Sequence, residues 1–243
     1  MDTLNKENIL GIDVLATTYE ELKVSVEQDI KKGKKSFIVA INPEKLLRAR
    51  KDSALTKLLN DATYQIPDGI GVIYASKLKR GKINSRITGI DCMDMLCKLS
   101  DDKGYKVFMY GAKEETIKKA KEEIEKKYPN IKIVGYINGY LNDDKKIIET
   151  VNKSKADILF VALGSPKQEE WIVKNMNKLC VKIFQGVGGS FDVFSGNIKR
   201  APKWMQKYGL EWLYRLIKEP KRIFRQLKLV KFLGLIVVSG KNK

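Results

Sequence analysis

The chain predicts an α/β fold: a mostly parallel, Rossmann-like sheet with flanking helices, followed by a helical, basic appendage. Three observations carry that expectation. Short apolar runs rich in Val, Ile and Phe alternate with amphipathic or charged stretches of helical length. The loops after the apolar runs carry glycine, proline or small polar residues. Beyond about Arg200 the strand pattern stops, and aromatic and basic residues interleave.

In chain order, residues 19–32 read as an amphipathic helix and Phe37 to Ile41 as a buried strand. Pro43 suits a first helical position, so a helix is expected from Pro43-Glu44 to about Asn60. Tyr64 to Ile66 is a short strand ending at Pro67-Asp68-Gly69, with helices from about Gly71 and over Ile90 to Asp101. Lys106 to Tyr110, Ile131 to Val134, Asp157 to Leu163 and Val181 to Phe184 read as strands. Between them fall charged helices over Lys113 to Lys127, Asp143 to Ser154 and Lys167 to Leu179. Residues 1–198 are taken as one α/β domain and 199–243 as the appendage.

Composition excludes several chemistries. The 243 residues contain no histidine, which removes Ser-His-Asp hydrolysis, Cys-His proteolysis and His-ligated zinc together. Three cysteines with no C-x-x-C spacing indicate neither a disulfide framework nor a zinc knuckle. The net charge is +18, and the stretch from Lys199 to Lys243 holds 13 basic residues against two acidic ones. Such a tail wants an anionic partner. Leu229 to Val238 is too apolar for a nucleic-acid face, and aromatics with Lys and Arg are the usual anchors at a bilayer interface, so an anionic membrane surface fits better. A basic non-catalytic module that binds nucleic acid or membrane is the rival reading. No run reaches a membrane span, and Met1-Asp2 opens no basic-then-apolar leader, so the expected place is the cytoplasm.

Ligands of open parallel sheets bind beyond the strands' carboxyl ends. Here those ends are the loops at Asn42, Asp68, Gly111, Leu163 to Gln168 and Gly186 to Ser190. Gly69-Ile-Gly71 resembles a dinucleotide fingerprint only loosely: its spacing is wrong and no acid follows at the expected offset. No G-x-x-x-x-G-K-[ST] is present, which excludes a P-loop NTPase. Asp68, set between Pro67 and Gly69, suits a carboxylate projecting into a cleft, although Asp in such a place also caps helices. Gln168 and Glu169 read equally as first-turn residues after Pro166. Four of the eight arginines lie in the tail, and arginine is the residue for bidentate phosphate contact.

In order along the chain, Asn42-Pro-Glu44, Pro67-Asp-Gly-Ile-Gly-Val72, Arg86-Ile-Thr-Gly-Ile-Asp91, Ala162-Leu-Gly-Ser-Pro-Lys-Gln-Glu169, Gly186-Val-Gly-Gly-Ser-Phe-Asp192 and Gly196-Asn-Ile-Lys-Arg-Ala-Pro202 resemble the WecG/TagA/CpsF glycosyltransferase family. The resemblance implies an inverting, metal-independent transferase with no cofactor. It would move a sugar, N-acetylmannosamine by the nearest pattern, from a UDP-sugar donor. The acceptor would be GlcNAc on undecaprenyl pyrophosphate, in teichoic acid or other cell-surface polysaccharide synthesis. It places the protein peripherally on the inner membrane face, with no nucleic-acid partner, and is compatible with a homo-oligomer in solution. By the same resemblance Asp68 is the catalytic base, and Asn42, Arg86 and Gln168 bind substrate with the Gly186, Gly188 and Gly189 backbone. Arg215, Arg222 and Arg225 of the appendage complete the site over the acceptor pyrophosphate. Teichoic-acid members carry Thr two residues before the Asn, where this chain has Ala40. The absence of D-x-D agrees with a leaving group held by cations and N–H dipoles instead of a metal clamp.

Overall fold

The computed structural model describes residues 4–220 and 223–240. It opens with a hairpin, β1 (Lys6–Ile9) and β2 (Ile12–Leu15), absent from the sequence expectation. Leu10 and Gly11 both take positive φ (51° and 92°), the two-residue turn whose twist matches paired strands. Leucine in the place usually held by Asn or Asp hid that turn. Asn8 Oδ1 restores part of the missing turn chemistry by accepting from Gly11 N–H.

Next come α1 (Tyr19–Lys31), with a Thr18–Glu21 capping box, and β3 (Ser36–Ile41). The helix expected over residues 43–60 is two: α2 (Pro43–Ala49) and α3 (Ser53–Asn60). The break falls at Asp52, whose carboxylate caps Leu55 N–H and starts a new helix in a new direction. There follow β4 (Tyr64–Pro67), α4 (Ile70–Leu78), α5 (Gly89–Lys103), β5 (Lys106–Gly111), α6 (Glu114–Lys127) and β6 (Lys132–Ile137). Then come α7 (Asp144–Ser154), β7 (Ile158–Ala162), α8 (Lys167–Asn175), β8 (Ile183–Gly186) and α9 (Ser190–Phe194). Residues 176–178, expected as the end of α8, tighten into a 3₁₀ turn.

Strands β3 to β8 form one sheet in the order β4-β3-β8-β7-β5-β6, with every neighbouring pair parallel. The period-2 rule divides its side chains between two cores. Phe37, Val39, Ile41, Leu159, Val161 and Phe184 meet α2, α3, α4, α7 and α8 on one face. Ile38, Val107, Met109, Ile158, Phe160 and Ile183 meet α1, α5, α6 and α9 on the other. The chain is α/β with a parallel sheet, as its alternation of runs predicted.

Beyond Pro202 lie α10 (Lys203–Lys207), α11 (Glu211–Lys218) and α12 (Ile223–Gly240). Helix α12 buries Phe232 and Ile236 in the first core, against α2 and α4. Gly71 permits that approach: a Cβ there would fall 2.6 Å from Pro43 Cγ and 2.7 Å from Leu229 Cδ1. Helices α10 and α11 dock through charge. Glu211 accepts from Arg86 (3.1 Å) and from Arg200 Nε (3.1 Å), and Arg200 in turn grips Asp91 with both terminal nitrogens. Thr88, the N-cap of α5, also donates to Asp91 (2.6 Å).

Burial works against the charge on Asp91, but the Arg200 and Thr88 hydrogen bonds outweigh it and hold its carboxyl below the usual range. A depressed native pKa stabilises above the unfolded-state value, about 4, and the benefit fades as pH falls below that. Asp91→Asn is therefore expected to cost about 1 kcal/mol at pH 7, modest because the pair is partly exposed. The gap in thermal stability between variant and wild type should close progressively below about pH 4. A gap independent of pH would show that the Arg200–Asp91 pair does not carry this docking.

Candidate active site

The carboxyl ends of β4, β3, β8 and β7, adjacent in the sheet, open into one cavity of about 580 Å³. Asn42, Asp68, Arg86, Gln168, Gly186, Gly188 and Gly189 all line it. They come from five separate stretches of the sequence, so only the strand order gathers them. Leu229 of α12 and Glu211 and Trp212 of α11 close its other side. Arg222 lies outside the described residues, as do the side chains of Arg215 and Arg225, so the structure places none of those three groups.

Asp68 stands one residue past the last β3–β4 pair, its backbone N–H bonded to Ile41 O (2.8 Å). It does not cap the next helix. That position belongs to Gly69, which makes no side-chain cap and takes φ 93°, a conformation that demands glycine. Asp68 Oδ2 instead accepts from Gly89 N–H at the start of α5, at 3.4 Å. Gln185 of β8, fully buried, donates to Gly89 O (2.8 Å) and so ties the same helix start to the sheet.

Asn42 is the N-cap of α2: its Oδ1 accepts from Lys45 N–H (2.9 Å), while its Nδ2 has no partner among the described residues. Arg86 spends one terminal nitrogen on Glu211 Oε2 and Gln206 O. Its Nε and second terminal nitrogen have no partner among the described residues. Gln168, almost fully buried, does more than start a helix. Its Oε1 accepts from Gly188 N–H (3.0 Å) and its Nε2 donates to Glu169 Oε1 (2.9 Å).

The glycine loop is partly spent on itself. Val187 N–H bonds Val161 O, and Gly188 N–H, at a residue with φ 51°, is taken by Gln168. Gly186 leaves room for Gln168, since a Cβ there would lie 2.7 Å from Nε2. Among these amides, the N–H of exposed Gly189 has no partner among the described residues.

Two participants escaped the sequence reading. Lys45, buried at 7% exposure, lines the cavity and donates to Ala40 O (2.9 Å) and Glu169 Oε1 (2.8 Å). Glu211 bridges Arg86 and Arg200. In a chain with 47 Lys and Arg, no local signal separates an inward cation from its solvated neighbours. Cysteine chemistry is not offered here: burial pushes the thiols of Cys92 and Cys97 well up, keeping them protonated.

An acid, two amide side chains, a basic group and a tight glycine loop around one cleft suit an anionic, hydroxylated ligand, and likeness to known proteins agrees. The chain is 41% identical over 208 residues to the N-acetylglucosaminyldiphosphoundecaprenol N-acetyl-beta-D-mannosaminyltransferase of Bacillus subtilis strain 168, covering 86% of this chain and 81% of that protein. It is 36% identical over 237 residues to the protein of the same name in Bacillus spizizenii, covering 98% and 88%. With that of Staphylococcus aureus strain MW2 it shares 35% over 241 residues, covering 98% and 94%. The model of the glycosyl transferase WecG/TagA/CpsF family matches residues 7–243, a span that takes in the cavity and the helices closing it. This chain belongs to the WecG/TagA/CpsF glycosyl transferase family.

Proposed function

We propose that the protein is an inverting, metal-independent glycosyltransferase that moves N-acetylmannosamine from a UDP-sugar to GlcNAc on undecaprenyl diphosphate. The names of its relatives support the sugar and the acceptor. The observation that carries the chemistry is the shared cavity, where Asp68 faces the same space as Asn42, Arg86, Gln168 and the glycine loop.

In this reading the acceptor hydroxyl attacks the anomeric carbon from the face opposite UDP. Asp68 takes the hydroxyl proton as the new C–O bond forms and the bond to the UDP oxygen breaks, which inverts the centre. With no histidine in the chain, a carboxylate is the natural base. The departing diphosphate gains a further negative charge as the bond to the sugar breaks, which preorganised donors stabilise without reorganising. Donors remaining for it are the spare nitrogens of Arg86, the Nδ2 of Asn42 and the Gly189 N–H. Arg215, Arg222 and Arg225 would add bidentate contacts from the appendage. The sequence holds no D-x-D, and among the described residues no three acidic or cysteine side chains group as metal ligands.

We further propose that residues 199–243 form a unit that both completes this site and rests on an anionic leaflet. No described helix is long and apolar enough to cross a membrane. Trp204 of α10, Tyr208 just past its end and Ile217 of α11 are well exposed beside Lys203, Lys207 and Lys218, an arrangement suited to an interface. Each Lys or Arg near such a surface contributes about 1 kcal/mol.

The reading as a whole is tested with a panel of UDP-sugars against a lipid-diphosphate-GlcNAc analogue, where UDP-N-acetylmannosamine should be the best donor. Asp68→Asn should lower turnover at least about a hundredfold with little change in UDP affinity; near-normal turnover would remove Asp68 as base. Activity should persist in excess EDTA, and a requirement for added Mg or Mn would overturn the metal-free mechanism. Arg215→Lys, Arg222→Lys or Arg225→Lys should leave sedimentation with anionic liposomes intact and cut turnover, because lysine keeps the charge and loses the bidentate fork. Loss of both together would reduce these arginines to anchors.

A further inference from the structure

We propose that the buried ion pair Lys45–Glu169 is a positioning device: it sets the orientation of Gln168 and, through it, the glycine loop used in the transfer, an inference that rests on the function proposed above. Glu169 is fully buried, and its Oε1 receives both Lys45 Nζ (2.8 Å) and Gln168 Nε2 (2.9 Å). Its second oxygen is buried with no hydrogen-bond partner among the described residues. Stability alone gives little reason for this arrangement, because a well-packed apolar pair of similar volume is commonly as stable as a buried ion pair.

What the pair does provide is direction. An ionised carboxylate only accepts hydrogen bonds, so Gln168 has to turn its NH₂ toward Glu169. Its carbonyl oxygen is thereby left facing Gly188 N–H, at 3.0 Å. A flipped carboxamide would set donor against donor at Gly188 and acceptor against acceptor at Glu169. Lys45 holds Glu169 in place through the ion pair, and it links the two sides of the cavity. Its backbone N–H holds Asn42 Oδ1 at the end of β3, while its ammonium holds the carboxylate on α8 and the Ala40 carbonyl. Asn42, Gln168 and Gly188 are thus held by one partly buried chain of hydrogen bonds along the cavity wall.

The experiment uses the full chain, with Glu169→Gln and the double variant Lys45→Met/Glu169→Leu. Readouts are thermal unfolding, kcat and KM for the sugar donor, and amide hydrogen exchange of residues 186–190 without ligand. Glu169→Gln is expected to speed exchange at 186–190 and to lower kcat about 100-fold, the scale of a small misplacement in a site. The apolar double variant is expected to regain a Tm within about 3 °C of wild type while its kcat stays low. It also carries the test should Glu169→Gln fail to fold. A stable double variant with wild-type kcat, or exchange at 186–190 unchanged in both variants, would overturn the proposal. Absence of transfer by the wild type would sink the proposed function instead, and the exchange result would then decide the positioning role.

Discussion

Every strand of the large sheet runs the same way, and the rest of the molecule follows from that constraint. Parallel pairing forces each strand to return through a crossover, so helices cover both faces and both must be apolar. It also delivers all carboxyl ends to one edge. Because the order β4-β3-β8-β7 brings first and last strands together, residues as distant as Asn42 and Gly188 share a wall. The cavity is a consequence of topology before it is a matter of side chains.

The side chains that fill it are arranged around the start of α5. Gly89 N–H reaches Asp68, Gly89 O is held by Gln185, and Thr88 with Asp91 binds Arg200 of the appendage. The acid and the docking of α10 and α11 therefore lean on the same helical turn. A displacement of that turn would be felt by both, which couples the seating of the appendage to the geometry around Asp68 by direct contact.

Electrostatics in so basic a chain is managed locally. Groups near the cavity alternate in sign: Lys45 with Glu169, Arg86 with Glu211, Arg200 with Asp91. Each of these three cations meets a carboxylate at hydrogen-bonding distance, which offsets the desolvation its position imposes. The arrangement favours fixed geometry over net stabilisation, as the proposed transfer, with its charged leaving group, would require.

Most of the elements, and the loops at the strand ends, were legible in the sequence alone. Alternation within strands, helical periodicity and the glycine or proline at each strand end are short-range features, legible without knowing where the chain goes. Asp68, Gln168 and the glycine loop were found because strand ends in parallel sheets are where ligands bind. What those residues touch was settled by the tertiary fold. Asp68 passes over the cap position that its type prefers, because Gly69 takes the strained turn and the carboxylate meets α5 from across the fold. The stretch over 43–60 reads as one helix but breaks at Asp52, whose carboxylate caps Leu55 N–H and starts a second. The turn at Leu10-Gly11 and the inward aim of Lys45 and Glu211 had no local signature. A charge is assigned to the interior by its partner, and Glu169 lies 124 residues from Lys45, Glu211 125 from Arg86. Pairings over such separations are settled by strand order, which no window of sequence contains.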